Sequence, residues 1–293
     1  LMVDTTCGPT RRFCNNALQR LGLETTYYDP LAGKDIAKLI KDNTRVVYLE
    51  SPGSLTFEVQ DIPAIAKEAH ARGAIVIADN TWATPLYNSP FDLGVDVCIH
   101  SVTKYIAGHS DLVMGSILCR KEHYKPLVMT FRNMGACPSA DNCYLATRGM
   151  RTMGVRLKQQ YENAMVVAKW LKSRPEVEEV LYPALPGAPG HDLWKRDFTG
   201  AASLFSIALK PAGKAAVAAM VDHMELFGLG YSWGGYESLI MPLNLAVQRS
   251  ATKWKYGGPS IRLHIGLEHP DDIIKDLEAG LERYKKASNA SAA

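Results

Sequence analysis

Three short apolar runs dominate the first hundred residues, and each ends on polar or charged side chains. Val46-Val47-Tyr48-Leu49 is the first, Ala74-Ile75-Val76-Ile77-Ala78 the second, and Val95-Asp96-Val97-Cys98-Ile99 the third. Their length predicts buried strands rather than helices. Between the first two, Asp61-Ile62-Pro63 has the form of a helix start, with a capping carboxylate and an early proline. Ile62, Ile65, Ala66 and Ala69 then repeat at helical spacing, and Gly73 marks the stop. Ile36, Leu39 and Ile40 mark a further short helix. Strand–helix–strand alternation at this spacing predicts an α/β fold, with a mainly parallel sheet covered by helices on both faces.

The pattern changes near residue 150. A long helix is predicted from Val155 to Ser173, ending before Pro175. Leu204-Phe205-Ser206-Ile207-Ala208-Leu209 and Ile261-Arg262-Leu263-His264-Ile265 read as strands. A last amphipathic helix starts at Pro270, with Ile273, Ile274, Leu277, Leu281 and Tyr284 on its buried face. The expected division is a large domain over 1–150 and a smaller C-terminal domain over 151–293. The small, polar tail Ser288 to Ala293 is the one place where disorder is expected. The chain opens Leu1-Met2-Val3-Asp4, as if in mid-strand, which suggests a piece of a longer protein.

A net charge of +3 over 293 residues, with no Lys/Arg-rich block, gives no support for nucleic-acid binding. No apolar stretch approaches a membrane span and no signal peptide is visible. The six cysteines, Cys7, Cys14, Cys98, Cys119, Cys137 and Cys143, form no Cys-x-x-Cys pair and have no zinc-ligand spacing to histidines. No metal site is expected, and a reducing cytoplasm is the expected compartment.

The second apolar run ends on Asp79, and the third is followed by Ser101-Val102-Thr103-Lys104-Tyr105. Open α/β sheets bind ligands beyond the carboxyl ends of their strands. A lysine and an aspartate placed there suit pyridoxal phosphate. The amine condenses with the aldehyde, and the carboxylate keeps the pyridine nitrogen protonated. Ser101 and Thr103 offer hydroxyls to the phosphate. On these residues alone, an ordinary loop after a strand remains an equal reading. Trp82 could line the pocket or pack in the core, and His109 more naturally shapes the turn after the lysine than transfers protons.

Longer phrases separate these readings. They include Glu50-Ser51-Pro52-Gly53-Ser54, Asp79-Asn80-Thr81-Trp82, Ser101 to Tyr105, Gly108-His109-Ser110-Asp111 and Arg148-Gly149-Met150-Arg151-Thr152. Further on come Pro183-Ala184-Leu185-Pro186-Gly187, Trp194 to Gly200, Tyr231-Ser232-Trp233-Gly234-Gly235-Tyr236-Glu237-Ser238 and Ile261 to Glu268. Together they resemble the Cys/Met-metabolism family of pyridoxal-phosphate enzymes, of fold type I, from the first residue to about Tyr284. The Tyr231–Ser238 phrase, with Gly53 and Ser54, is most similar to the bacterial cystathionine β-lyase branch. The resemblance implies that Lys104 holds the cofactor, Asp79 pairs with its pyridinium, and Ser101 and Thr103 bind its phosphate. It implies that Arg262 clamps the substrate carboxylate, helped by Ser232 and Trp233. The implied reaction is β-elimination of L-cystathionine to homocysteine, pyruvate and ammonia. γ-Elimination, γ-replacement and cleavage of cysteine S-conjugates stay open within the family. A truncated, non-catalytic chain acting as a binding module is the rival from another class. The resemblance also implies a homotetramer, and absence of the N-terminal part of the family fold. Cys7 stands where the family carries a tyrosine stacked on the cofactor, so it is included among the cofactor-binding residues.

Overall fold

The protein is described by a computed structural model covering residues 1–245 and 249–290. A six-stranded sheet fills its first half. The strands are β1 (Met2–Val3), β2 (Tyr27–Tyr28), β3 (Val46–Glu50), β4 (Ile75–Asp79), β5 (Val97–Ser101) and β6 (Gly115–Cys119), in the order β2-β1-β3-β4-β5-β6. Neighbours from β2 to β5 run parallel, and β6 closes the edge antiparallel to β5. The three strands read from the apolar runs are thus adjacent at the sheet centre. Their register sets Glu50 on β3 beside Asp79 on β4, and Asp79 beside Ile99 on β5.

Helix α1 (Gly8–Phe13) follows β1. Helix α2 (Ile62–Ala71) forms as its sequence predicts. Asp61 accepts from the Ala64 N–H, Ile62, Ile65, Ala66 and Ala69 are buried, and Gly73 closes the end at φ +70°. These side chains pack with Val3, Val47, Leu49, Val76 and Ala78 in one core layer. The expected short helix near Ile36 is a tighter 3-10 segment, Gly33–Lys38. A short helix α3 (Thr84–Tyr87) follows β4, and α4 (Lys121–Asn133) follows β6.

The long helix differs from expectation. Helix α5 runs from Ala140 to Lys172, so it begins well before Val155 and passes unbroken through residue 150. Ser139 caps it by accepting from the Asn142 N–H. Its N-terminal half buries only small or isolated apolar groups, Ala146, Gly149 and Met153, which leaves little hydrophobic periodicity to read.

A second, five-stranded sheet has the order β7-β8-β11-β10-β9: β7 (Val177–Leu181), β8 (Leu204–Leu209), β9 (Gly228–Leu229), β10 (Leu239–Leu243) and β11 (Ser260–His264). It is antiparallel except for β9 against β10. Helices α6 (His191–Asp197), α7 (Lys214–Val221) and α8 (Pro270–Ala290) accompany it. Ile273, Leu277, Leu281 and Tyr284 of α8 are buried as predicted, and Ile274 packs at the margin. The helix includes Ser288 to Ala290, where disorder was expected; the rest of that tail, 291–293, lies outside the described residues. One hydrophobic core joins Val102, Tyr105 and Leu112 of the first sheet's loops to Leu157, Phe205 and Leu263. No helix among the described residues is long and apolar enough to cross a membrane.

Candidate active site

The carboxyl ends of β3, β4 and β5 meet the loop before β10 and the middle of β11. Lys104 lies on the turn after β5. Its N–H donates to the Ser101 carbonyl (3.1 Å), and the Gly108 N–H donates to the Lys104 carbonyl (2.8 Å). The Lys104 ammonium donates to Ser232 Oγ at 2.6 Å and sits 5.2 Å from the centre of the Trp233 ring. Burial first, and the charge of Arg262 second, draw its pKa down from 10.5 to about 8. The approach of the Ser232 loop requires a glycine at 234. That residue has φ +89°, and a Cβ there would come within 2.8 Å of the Lys104 carbonyl carbon.

Asp79 ends β4. Both its hydrogen bonds fall on Oδ1, from the Thr81 N–H (2.9 Å) and the Thr81 hydroxyl (2.5 Å). Beside it in register is Glu50, whose Oε2 accepts from the Cys7 N–H at 2.8 Å and the Thr6 hydroxyl at 3.3 Å. Burial raises both carboxyl pKa values, and Asp79 raises that of Glu50 further. Two such acids side by side resist double ionisation. A cationic ring nitrogen against Asp79 would relieve that conflict, which is one respect in which the site fits pyridoxal phosphate. The Cys7 thiol and the Glu50 and Asp79 carboxylates each place a ligand atom within 4.8 Å of the others.

Cys7 is half-buried, and its sulfur lies 3.1 Å from the Thr10 hydroxyl. Burial and then the Glu50 charge push its thiol up to about 12, so it stays protonated at neutral pH. Arg262 on β11 is 5% exposed. Its Nη2 donates to the Tyr231 carbonyl (2.5 Å) and the Ser232 carbonyl (3.3 Å). Its Nε is buried without a partner among the described residues. A buried guanidinium donor left over is costly, and a substrate carboxylate would satisfy it in the fork geometry arginine favours. Burial lowers Arg262 to about 10, which still leaves it charged at neutral pH.

The two hydroxyls flanking Lys104 differ. Ser101 donates its N–H to Thr81 Oγ1 at 2.8 Å, and its own hydroxyl has no partner among the described residues. Thr103 donates to the Met114 carbonyl (3.1 Å) and accepts from the Met114 N–H (2.9 Å), which braces the β5–β6 loop and commits its proton. Trp82 packs in the core: its indole donates to the Leu204 carbonyl at 2.9 Å and its ring meets Phe198 edge-on. His109 turns back onto the Ala107 carbonyl at 2.7 Å, a turn-shaping contact.

Lys104, Asp79, Ser101, Cys7, Arg262, Ser232 and Trp233 are therefore gathered at one site. Glu50 and Thr81 belong to it as well and were not anticipated. Glu50 could have been found by the rule that singled out Asp79, since it too ends a central parallel strand. Thr81 follows Asp79 by two residues, the spacing of a side-chain brace.

Comparison with known proteins identifies the family. Residues 1–282 match the family described as Cys/Met metabolism PLP-dependent enzyme. A putative cystathionine beta-lyase of Rhizobium johnstonii is 49% identical over 284 residues, covering 96% of this chain and 72% of that protein. The cystathionine beta-lyase of Escherichia coli strain K12 is 45% identical, covering 97% and 73%. An L-alanine/L-glutamate racemase of Wolbachia pipientis is 47% identical, covering 97% and 70%. Among solved structures, a cystathionine gamma synthase from Xanthomonas oryzae pv. oryzae, in complex with aminoacrylate and cysteine, superposes with a TM-score of 0.90 at 31% identity, covering 98% and 75%. The chain belongs to the Cys/Met-metabolism family of pyridoxal-phosphate-dependent enzymes, of fold type I.

Proposed function

We propose that the chain is a carbon–sulfur lyase that cleaves L-cystathionine by β-elimination. The observation that carries this reading is the Lys104 amine. It donates to Ser232 Oγ at 2.6 Å, its pKa is drawn down to about 8, and Arg262, which donates to the Ser232 carbonyl at 3.3 Å, keeps a buried Nε with no partner among the described residues.

Pyridoxal phosphate, when bound, supplies an electrophilic aldehyde and a ring that accepts electrons from the substrate. Asp79 would face the ring nitrogen, and Ser101, with the hydroxyl it has free, the phosphate. Thr103 contributes by holding the loop that carries Lys104. Arg262 would take the α-carboxylate through Nε, with Ser232 and Trp233 closing the same side. That clamp fixes which bond at Cα faces Lys104. The neutral Lys104 amine then removes the Cα proton. As the Cβ–S bond breaks, the ammonium of Lys104 returns a proton to the departing sulfur, giving homocysteine. Water completes the balance by releasing pyruvate and ammonia. Preorganised charges that act only as charge develops at Cα lower the barrier more than they tighten binding.

Racemisation of an amino acid is a second reading. One observation favours it: the Wolbachia relative carries that description. Both readings need Lys104 at the Cα proton, and they differ in what leaves. In holoenzyme made from the complete gene, Lys104→Ala should lose both the visible absorbance of lysine-bound cofactor and the release of pyruvate. Full lyase activity in that variant contradicts the assignment.

Two coarser expectations join this reading. A homotetramer follows from the family resemblance. The exposed Ile117 and Leu118 on β6 and the exposed Tyr124, Met129 and Phe131 on α4 suit contact with another chain. All six cysteines are free, which supports a reducing, cytoplasmic compartment.

A further inference from the structure

One face of α5 carries a line of buried polar side chains that the reaction does not use. Arg156, Gln160 and Asn163 are 6%, 0% and 3% exposed. Their spacing of four and then three residues stacks them on a single face of the helix. None has a carboxylate partner among the described residues. Each instead donates to backbone carbonyls, and the carbonyls belong to three different segments of the site.

Arg156 reaches the lysine turn. Nη1 and Nη2 both donate to the Tyr105 carbonyl at 3.1 Å, Nη2 also reaches Ile106 (3.5 Å) and Gly149 (2.9 Å), and Nε donates to Thr152 Oγ1 (3.0 Å). The fit is tight on both sides. A Cβ at Gly108 would fall 1.8 Å from Arg156 Nη1, and one at Gly149 would fall 2.3 Å from the Ala107 carbonyl oxygen. Gln160 donates to the Gly235 carbonyl at 2.7 Å, in the loop that brings Ser232 to Lys104. Asn163 donates to the carbonyls of Gly266 (3.3 Å) and Glu268 (2.9 Å), just beyond the strand that carries Arg262. The Gln159 amide fixes its orientation by donating to Asn163 Oδ1 at 2.9 Å.

We infer that Arg156, Gln160 and Asn163 are positioning residues: one rigid helix face sets the lysine turn, the Ser232 loop and the exit of the Arg262 strand relative to each other. A helix is a stiff ruler, and misplacement of a reacting group by about 1 Å costs roughly a hundredfold in rate. Aliphatic side chains would fill the same space at less desolvation cost, yet here the buried face is polar and aimed at carbonyls. The inference rests on Lys104, Ser232 and Arg262 forming the reacting set.

The test uses the full-length protein stripped of cofactor and then given pyridoxal phosphate. The rate at which Lys104 captures it, read from the growth of the visible band, reports the lysine turn without substrate. Arg156→Met should slow capture roughly ten- to a hundredfold, and Arg156→Lys, which keeps the charge but not the fork, should fall between it and the parent. Asn163→Leu should leave capture within about twofold and raise KM for the substrate by roughly tenfold, because it acts at the Arg262 end. Lys158→Met, on the exposed side of the same helix, should match the parent in both. If Arg156→Met fails to fold, Arg156→Lys decides. Capture and KM within about twofold of the parent in the folded Arg156 and Asn163 variants would overturn the inference. A visible band that persists in Lys104→Ala would instead overturn the reading on which it rests, so the two failures are distinguishable.

Discussion

The depressed pKa of Lys104 has a kinetic consequence that can be worked out before any substrate is added. An amine with pKa about 8 is deprotonated in about one molecule in eleven at pH 7, whereas an ordinary lysine at 10.5 is so in about one in three thousand. The site therefore holds roughly three hundred times more reactive amine than a solvated lysine would. Only the neutral amine attacks an aldehyde, so capture of pyridoxal phosphate by cofactor-free protein should quicken about tenfold per pH unit below 8 and level off above it. The sign comes from the causes. Burial and the like charge of Arg262 both penalise the ammonium, so the neutral form gains at lower pH. Removing one cause should move the midpoint: in Arg262→Met it should rise above 8 while staying below 10.5, because burial, the larger cause, remains. Rapid-mixing absorbance across pH 6 to 10 reads this directly. A capture rate that keeps climbing through pH 9.5 in the parent, or an Arg262→Met midpoint unchanged from it, refutes this assignment of causes.

Two further outcomes are expected. The Asp4 carboxylate binds the turn before β11, accepting from the N–H groups of Ser250, Ala251 and Thr252, from the hydroxyls of Ser250 and Thr252, and from Arg11 at 2.6 Å. Burial opposes its ionisation, but these bonds outweigh it and hold its pKa at about 2, so the stabilisation is complete above pH 3.8 and fades as pH falls toward 2. Asp4→Asn turns one acceptor into a donor and should cost about 3 kcal/mol locally; exchange of the 250–252 amides, followed by mass spectrometry at neutral pH, should then quicken roughly a hundredfold, and no change contradicts the clasp. Separately, a pH 8 alkylating reagent should modify the exposed Cys137 and Cys143 well before Cys7, whose thiol is pushed up to about 12; Cys7 reacting first shows that its surroundings are misread.

Legibility in the sequence tracks the strength of local signals. β3, β4 and β5 stand out because central parallel strands are apolar on both faces, and α2 because Asp61, Pro63 and Gly73 mark its ends. Lys104 and Asp79 drew notice because each lies at or just past the end of such a strand, but it took the longer phrases around them to separate a cofactor site from an ordinary loop. The first half of α5 was hidden because the apolar groups it buries are only Ala146, Gly149 and Met153, and Gly149 is small where the lysine turn approaches. β6 was not visible either, since its side chains are exposed or half-exposed and show no alternation. The bonds between Thr103 and the Met114 backbone depend on an antiparallel return of the chain that no local pattern announces. Glu50 needed the register between β3 and β4 to be seen as a partner of Asp79.

The most direct test of the proposed chemistry is the identity of the products. The complete gene product, loaded with pyridoxal phosphate, is given L-cystathionine, and the keto acid and thiol are identified by mass spectrometry. β-Elimination at this site requires pyruvate and homocysteine in equal amounts. 2-Oxobutyrate with cysteine, or inversion at Cα with no keto acid, would contradict it while leaving Lys104 at the centre of the site.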